Sequence, residues 1–241
     1  MRRYAPFAII ALVGLLTIGI ATTLYRARMH PAKRPVSASK GSPTPTSVAS
    51  PAVDAPGMEK EEEHIHARGP RKAPVTLEVY GDFQCPSCAT ATFIIDELEK
   101  EYGDKMRVAF HQFPLAMHRH AVKAAMAAEA AGLQGHFWEM HDMLYKYQSV
   151  WSRSSDPTAF FAAYAESIGL DAGQFAMDAR SPEVQARIIS NGDAGVARGV
   201  KNTPTIFING IEVQNGFRRE NLRQAIEEAL AKQKKGDGQG Q

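Results

Sequence analysis

Cys85 and Cys88 are the only cysteines in a chain of 241 residues, and only Pro86 and Ser87 lie between them. A loop this short adds little stability by cross-linking, and a disulfide-stapled secreted fold spreads more cysteines along its length. The value of the pair is therefore chemical. Residues 75–80 are rich in β-formers and residues 89–102 carry Ile94, Ile95, Leu98 and Tyr102 at helical spacing. The cysteines thus sit where a strand turns into the start of a helix. Backbone N–H groups there are unpaired, and with the helix dipole they favour negative charge. A thiol in that position has a lowered pKa, and the thiolate is the attacking species. Pro86 suits the first helical turn, where its missing N–H has no partner to lose. Cys85 is expected to attack and form a mixed disulfide. Cys88, one turn further in, is expected to resolve it by closing a Cys85–Cys88 disulfide. Pro86 and Ser87 shape the site without adding charge.

Two other readings of a Cys-x-x-Cys pair stand beside this one. It would be half of a zinc site if two of His118, His120, His136 and His141 supplied the missing ligands, or a pair of inert buried thiols. The strand–helix junction favours redox chemistry, so no metal and no cofactor are expected. A second constellation is Thr203-Pro204-Thr205, at the head of another β-rich stretch. Proline is tolerated in sheets at strand starts, and trans is its common form. A cis Thr203–Pro204 bond would instead turn the chain sharply beside the sulfurs. It would offer the N–H and C=O of Thr203 to an extended substrate, as in strand addition.

The elements that must position these residues follow from the rest of the pattern. Residues 107–113 read as a second strand. A long helical region spans about 118–200, with breaks at Gly135, Pro157, Gly169 and Pro182 that suggest four or five short helices. Residues 205–208 form a third strand, Asn209-Gly210 is a strong two-residue hairpin signal, and 211–213 return as a fourth strand. A helix over 221–230 places Leu222, Ile226 and Leu230 on one face. The crossover through the first helix implies parallel pairing and the Asn-Gly turn antiparallel pairing. The expected fold class is α/β, a small mixed sheet flanked by helices with an all-helical insertion at about 116–200.

Upstream, residues 1–4 form a short tail and residues 5–25 an uncharged apolar run. At about 1.5 Å per helical residue that run spans roughly 30 Å, enough to cross a bilayer. An uncleaved membrane anchor is the expectation, and a cleaved signal peptide the other reading. Arg26, Arg28, Lys33 and Arg34 after the run outnumber Arg2 and Arg3 before it, which by charge alone leaves the C-terminal part inside. The short N-terminal tail and the redox chemistry argue for the opposite orientation, with the catalytic part extracytoplasmic. Residues 26–69 read as a Pro/Ser-rich and then charged linker, residues 70–233 as the folded domain, and 234–241 as a flexible tail. The net charge of +2 lacks the basic footprint of a nucleic-acid binder.

Gly81-Asp82-Phe83-Gln84-Cys85-Pro86-Ser87-Cys88 resembles the DsbA-like branch of the thioredoxin superfamily. So do Phe113-Pro114-Leu115, Gly135-His136-Phe137-Trp138-Glu139-Met140-His141-Asp142, and the stretch from Gly199-Val200 through Thr203-Pro204-Thr205-Ile206-Phe207-Ile208-Asn209-Gly210. The likeness covers about residues 70–232. It implies a thioredoxin core with a helical domain inserted before the proline strand, a cis Thr203–Pro204 bond, and oxidation or isomerisation of disulfides outside the cytoplasm. The partners it implies are thiol-containing client proteins and a membrane redox partner, either a quinone-linked oxidase or a thiol reductant. The chain departs from the best-known oxidase of that branch in two ways. Ser87 stands where a His helps stabilise the thiolate, and Val79 stands where a buried Glu lies six residues before the first Cys. Glu78 points to the other face of its strand. Asp82 is expected to form the turn, or else to act as a charge neighbour of the site. Phe137, Trp138, Met140 and Met143 either line a peptide groove or fill a core, the commoner outcome. A rival of another class is a tethered metal-binding or chaperone module without turnover.

Overall fold

A computed structural model describes residues 66–237. The expected anchor at 5–25, the linker up to 65 and the last four residues lie outside the described residues. Among the described residues no helix is long and apolar enough to cross a membrane. The elements in chain order are β1 (His66–Arg68), β2 (Val75–Gly81), α1 (Pro86–Tyr102) and β3 (Met106–Gln112), then α2 (Ala121–Leu133), α3 (Phe137–Lys146), α4 (Gln148–Trp151), α5 (Thr158–Ser167), α6 (Ala172–Asp178) and α7 (Pro182–Ala197), and finally β4 (Thr205–Ile208), β5 (Ile211–Glu212) and α8 (Arg219–Asp237).

The five strands form one sheet in the order β1-β3-β2-β4-β5. β2 and β3 run parallel, with Val75 opposite Met106 and Gly81 opposite Gln112. The other pairings are antiparallel. Val75, Leu77 and Val79 are buried as the alternation requires, and Tyr80 is buried on the opposite face against Phe207 and Val200. Ile95 and Leu98 of α1 and Leu222 and Ile226 of α8 join Leu77, Val79, Ile206 and Ile208 in the main core. Asn209 (φ 48°) and Gly210 (φ 80°) both take the left-handed region, as a primed two-residue hairpin turn demands. Glu78 faces away from that core and accepts from Arg198 at 2.9 Å.

The structure departs from the sequence expectations at three places. The helical block holds six helices, because an unsignalled break at Tyr147 separates α3 from α4. No Gly or Pro marks it. The buried Trp151 indole N–H donates to Leu144 O (2.7 Å) and satisfies a carbonyl at the end of α3. The folded domain begins before residue 70, since β1 pairs with β3 inside the stretch read as linker. β1 is polar and folds through its partners. His66 stacks on Phe137 at 3.5 Å and contacts the buried Glu129 at 3.0 Å, while Arg68 lies over Trp138 and bonds Glu99. The last helix runs to Asp237, into the part read as a tail. The first helix starts at Pro86, as expected of a proline in the first turn.

The His66–Glu129 contact generates a test. Glu129 is 2% exposed, and Gln112 Nε2 also donates to it at 3.0 Å. His66→Ala removes one partner of a buried carboxylate and the stack on Phe137. Urea unfolding should show a loss of about 1–3 kcal/mol. An unchanged midpoint would mean that β1 does not stabilise the domain.

Candidate redox site

The site is built where β2 ends. Gly81 has no room for a side chain, since a Cβ there would lie 2.5 Å from the Phe110 ring and 3.1 Å from the Tyr145 hydroxyl. The next residue, Asp82, has a fully buried carboxylate. One oxygen accepts from Gln84 N at 2.7 Å. The other accepts from Leu115 N at 2.9 Å and lies 2.7 Å from His118 Nδ1. Asp82 therefore forms the turn, as read from the sequence, and also ties that turn to the entry of the helical insertion. Gln148 adds a second tie, its Nε2 donating to Phe83 O (2.8 Å) and Cys85 O (2.9 Å). A third joins His120 N to Gln84 Oε1 at 2.7 Å.

Cys85 is the N-cap of α1, with extended backbone (φ −74°, ψ 121°) and Pro86 as the first helical residue. Cys85 is 6% exposed and Cys88 2%, while Pro86 and Ser87 are exposed. The Thr203–Pro204 bond is cis, and Thr203 O accepts from Cys85 Sγ at 3.3 Å. The Cys85 thiol is held down to about 5. The Cys88 thiol, as hydrogen-bond donor, is the largest cause. Burial opposes it, and the Thr203 side chain and the backbone N–H groups of Cys88 and Ser87 add to the lowering. The Thr203 hydroxyl is buried and has no other hydrogen-bond partner, so it is available to donate to an ionised sulfur. Cys88 moves the opposite way. Burial, and then the neighbouring Cys85, push its thiol well above the ordinary value.

The structure therefore brings together Cys85, Cys88, Thr203 and Pro204. The four histidines weighed as zinc ligands do not join them. His118 pairs with Asp82, His120 Nε2 donates to Ser154 O, His136 contacts Glu139 and His141 contacts Asp142. Among the described residues no cluster of three or more metal-ligating side chains forms. Phe137 and Met140 are core residues and Trp138 and Met143 pack against that core, so they do not build a groove. Sequence reasoning missed Tyr145 and Gln148. Both lie in the insertion, some sixty residues from the cysteines, and carry no motif of their own.

A family model described as Thioredoxin matches residues 60–228. The chain is similar to solved structures over most of their length. It is 25% identical to Pseudomonas aeruginosa DsbA2, covering 67% of this chain and 91% of that one, with a TM-score of 0.56. It is 24% identical to a thioredoxin-like oxidoreductase from Silicibacter pomeroyi, covering 70% and 93%, with a TM-score of 0.60. Among curated proteins, a Na(+)/H(+) antiporter NhaA 1 of Mycolicibacterium vanbaalenii is 38% identical over 170 residues, 69% of this chain and 27% of the antiporter. The chain spans about a quarter of the length of the curated relatives it matches.

The two sulfurs give opposite pH signatures. Cys85, lowered, stabilises the reduced fold increasingly as pH rises from about 5 towards the ordinary thiol value, and that contribution is lost as pH falls back through about 5. Cys88, raised, costs stability above the ordinary thiol value, where the unfolded thiol ionises and the folded one does not. Iodoacetamide alkylation of the reduced protein should follow a single titration near pH 5, assigned to Cys85 by mass spectrometry. A midpoint near that of a free thiol would sink this account of the site.

Proposed function

This chain belongs to the thioredoxin family, and we propose that it works there as a DsbA-like, extracytoplasmic thiol–disulfide oxidoreductase tethered by residues 5–25. The observation that carries this reading is the asymmetry of the pair, with Cys85 ionised near neutral pH and Cys88 buried and neutral. A client thiolate attacks Cys85 Sγ of the Cys85–Cys88 disulfide, the S–S bond breaks, and Cys88 leaves with the electron pair and takes up a proton. A second client thiolate then attacks the client sulfur of the mixed disulfide. The client disulfide closes and Cys85 departs as a thiolate. Stabilising that thiolate stabilises the reduced protein, which makes the disulfide the more ready oxidant. This supports the oxidising direction, with Thr203 and the amides of α1 supplying what Ser87 does not.

The location rests on the apolar run at 5–25 and the Pro/Ser-rich stretch behind it, and on the persistence of protein disulfides outside reducing compartments. Turnover then requires a membrane partner that takes two electrons from the reduced pair, a quinone-linked oxidase being the chemical class that fits. Ion transport belongs to the antiporters and has no counterpart in this mechanism.

Cys85→Ser should abolish exchange with a reduced, unfolded client, while Cys88→Ala should accumulate client mixed disulfides on Cys85. Their absence from non-reducing gels of the Cys88→Ala variant would refute the mechanism. Equilibration with glutathione reports the direction. A pair that stays mostly reduced in dilute glutathione disulfide supports the oxidase, and an oxidised pair assigns the reductive direction.

A further inference from the structure

Cys88 carries negative charge whenever it attacks or departs, yet the residue is only 2% exposed. The donors that reach it are the Asp82 amide and the Thr203 side chain, and the latter also serves Cys85. The site contains a buried polar group that the mechanism above does not use. The Tyr145 hydroxyl has no hydrogen-bond partner that meets ordinary geometry, an expensive condition for a buried polar group. It lies under the bare backbone of Gly81, 3.1 Å from where a Cβ would be. The ring is held among Phe83 and His141, each with its centroid 5.0 Å away. After burial, the groups that act on this hydroxyl are Cys88, then Asp82 of the turn and Cys85, with Cys88 also as a hydrogen-bonding neighbour. Asp82 is itself paired with His118, and His141 is kept from charging chiefly by its burial.

Building on the exchange reading, we propose that Tyr145 is a positioning residue for the resolving sulfur. Its O–H donates to Cys88 Sγ when that sulfur is ionised, as nucleophile in one direction and leaving group in the other. In the reductive half-cycle Cys88 loses its proton and its thiolate attacks Cys85 Sγ of a mixed disulfide. The Cys85–Cys88 bond forms, the bond from Cys85 to the other thiol breaks, and that thiol departs as a thiolate. In the oxidative half-cycle the same hydrogen bond receives Cys88 as it is expelled. Burial first, and then the neighbouring Cys88, Asp82 and Cys85, push the tyrosine hydroxyl well above its ordinary value. It therefore remains a donor throughout the working range of the pair. No basic side chain is needed beside Cys88, which fits the apolar Val79 in the strand before it.

The test is Tyr145→Phe in the full chain, which keeps the ring and removes one oxygen. Cys85 is converted to its glutathione mixed disulfide, and glutathione release by Cys88 is followed by mass spectrometry over a pH series. Release should slow by about tenfold, the size expected for one hydrogen bond to a charged group. Its pH profile should move to higher pH, while the Cys85 alkylation profile stays where it was. A merely structural role would not separate these two profiles. Equal release at every pH would overturn the proposal while leaving the exchange reading intact. A wild-type protein that never closes the Cys85–Cys88 bond would refute both. Should Tyr145→Phe fail to fold, the Tyr145 Cζ resonance in ring-labelled protein serves instead. It should move between the reduced wild type at high pH and Cys88→Ala, and identical shifts would count against the assignment.

Discussion

Two sulfurs one helical turn apart must hold opposite protonation states at the same pH, and the site is arranged around that demand. Both are nearly inaccessible, so burial alone would keep both neutral. What separates them is the supply of donors. Cys85 sits at the N-cap, where the amides of Ser87 and Cys88, the Cys88 thiol and the Thr203 hydroxyl all point towards it. Cys88 lies inside the first turn, where burial and its neighbour Cys85 outweigh the Asp82 amide and the Thr203 side chain. In the proposed exchange, the order of attack and resolution is thus a property of where a helix begins.

Holding that helix start still requires positioning from elsewhere, because an N-cap with no side-chain cap bond does not fix its own loop. Asp82 and Gln84 do so by accepting from the backbone amides of Leu115 and His120 after β3, and Gln148 of the insertion by donating to the Cys85 carbonyl. The insertion also contributes Tyr145 under Gly81. The thioredoxin core supplies the strand, the helix and the Thr203–Pro204 loop. The inserted helices supply the ties that keep them in register.

Much of this was readable from residue order. The strand–Cys–helix junction, the Asn209-Gly210 hairpin and the four helix breaks marked by Gly or Pro all appear where local chemistry places them, because each depends on backbone preferences of the residues concerned. The unread parts depend on partners distant in sequence. β1 is His66-Ala67-Arg68, a short stretch whose strand state comes from Glu129, Phe137 and Glu99. The break at Tyr147 is stabilised by an indole four residues later. Asp82 was legible as a turn-former, but its bond to His118 was not, since nothing local distinguishes a buried aspartate from a solvated one.

The sheet also ends in a particular way. Among the described residues one border is β1, with His and Arg side chains, and the other is β5, a mere two residues. Within those residues neither offers a long run of free amides and carbonyls to recruit a foreign strand. For the proposed exchange on unfolded polypeptides, such borders would matter. They would let a sticky, extended chain be gripped at a single covalent point and released, with no continuous ladder through which it could join the sheet and remain there.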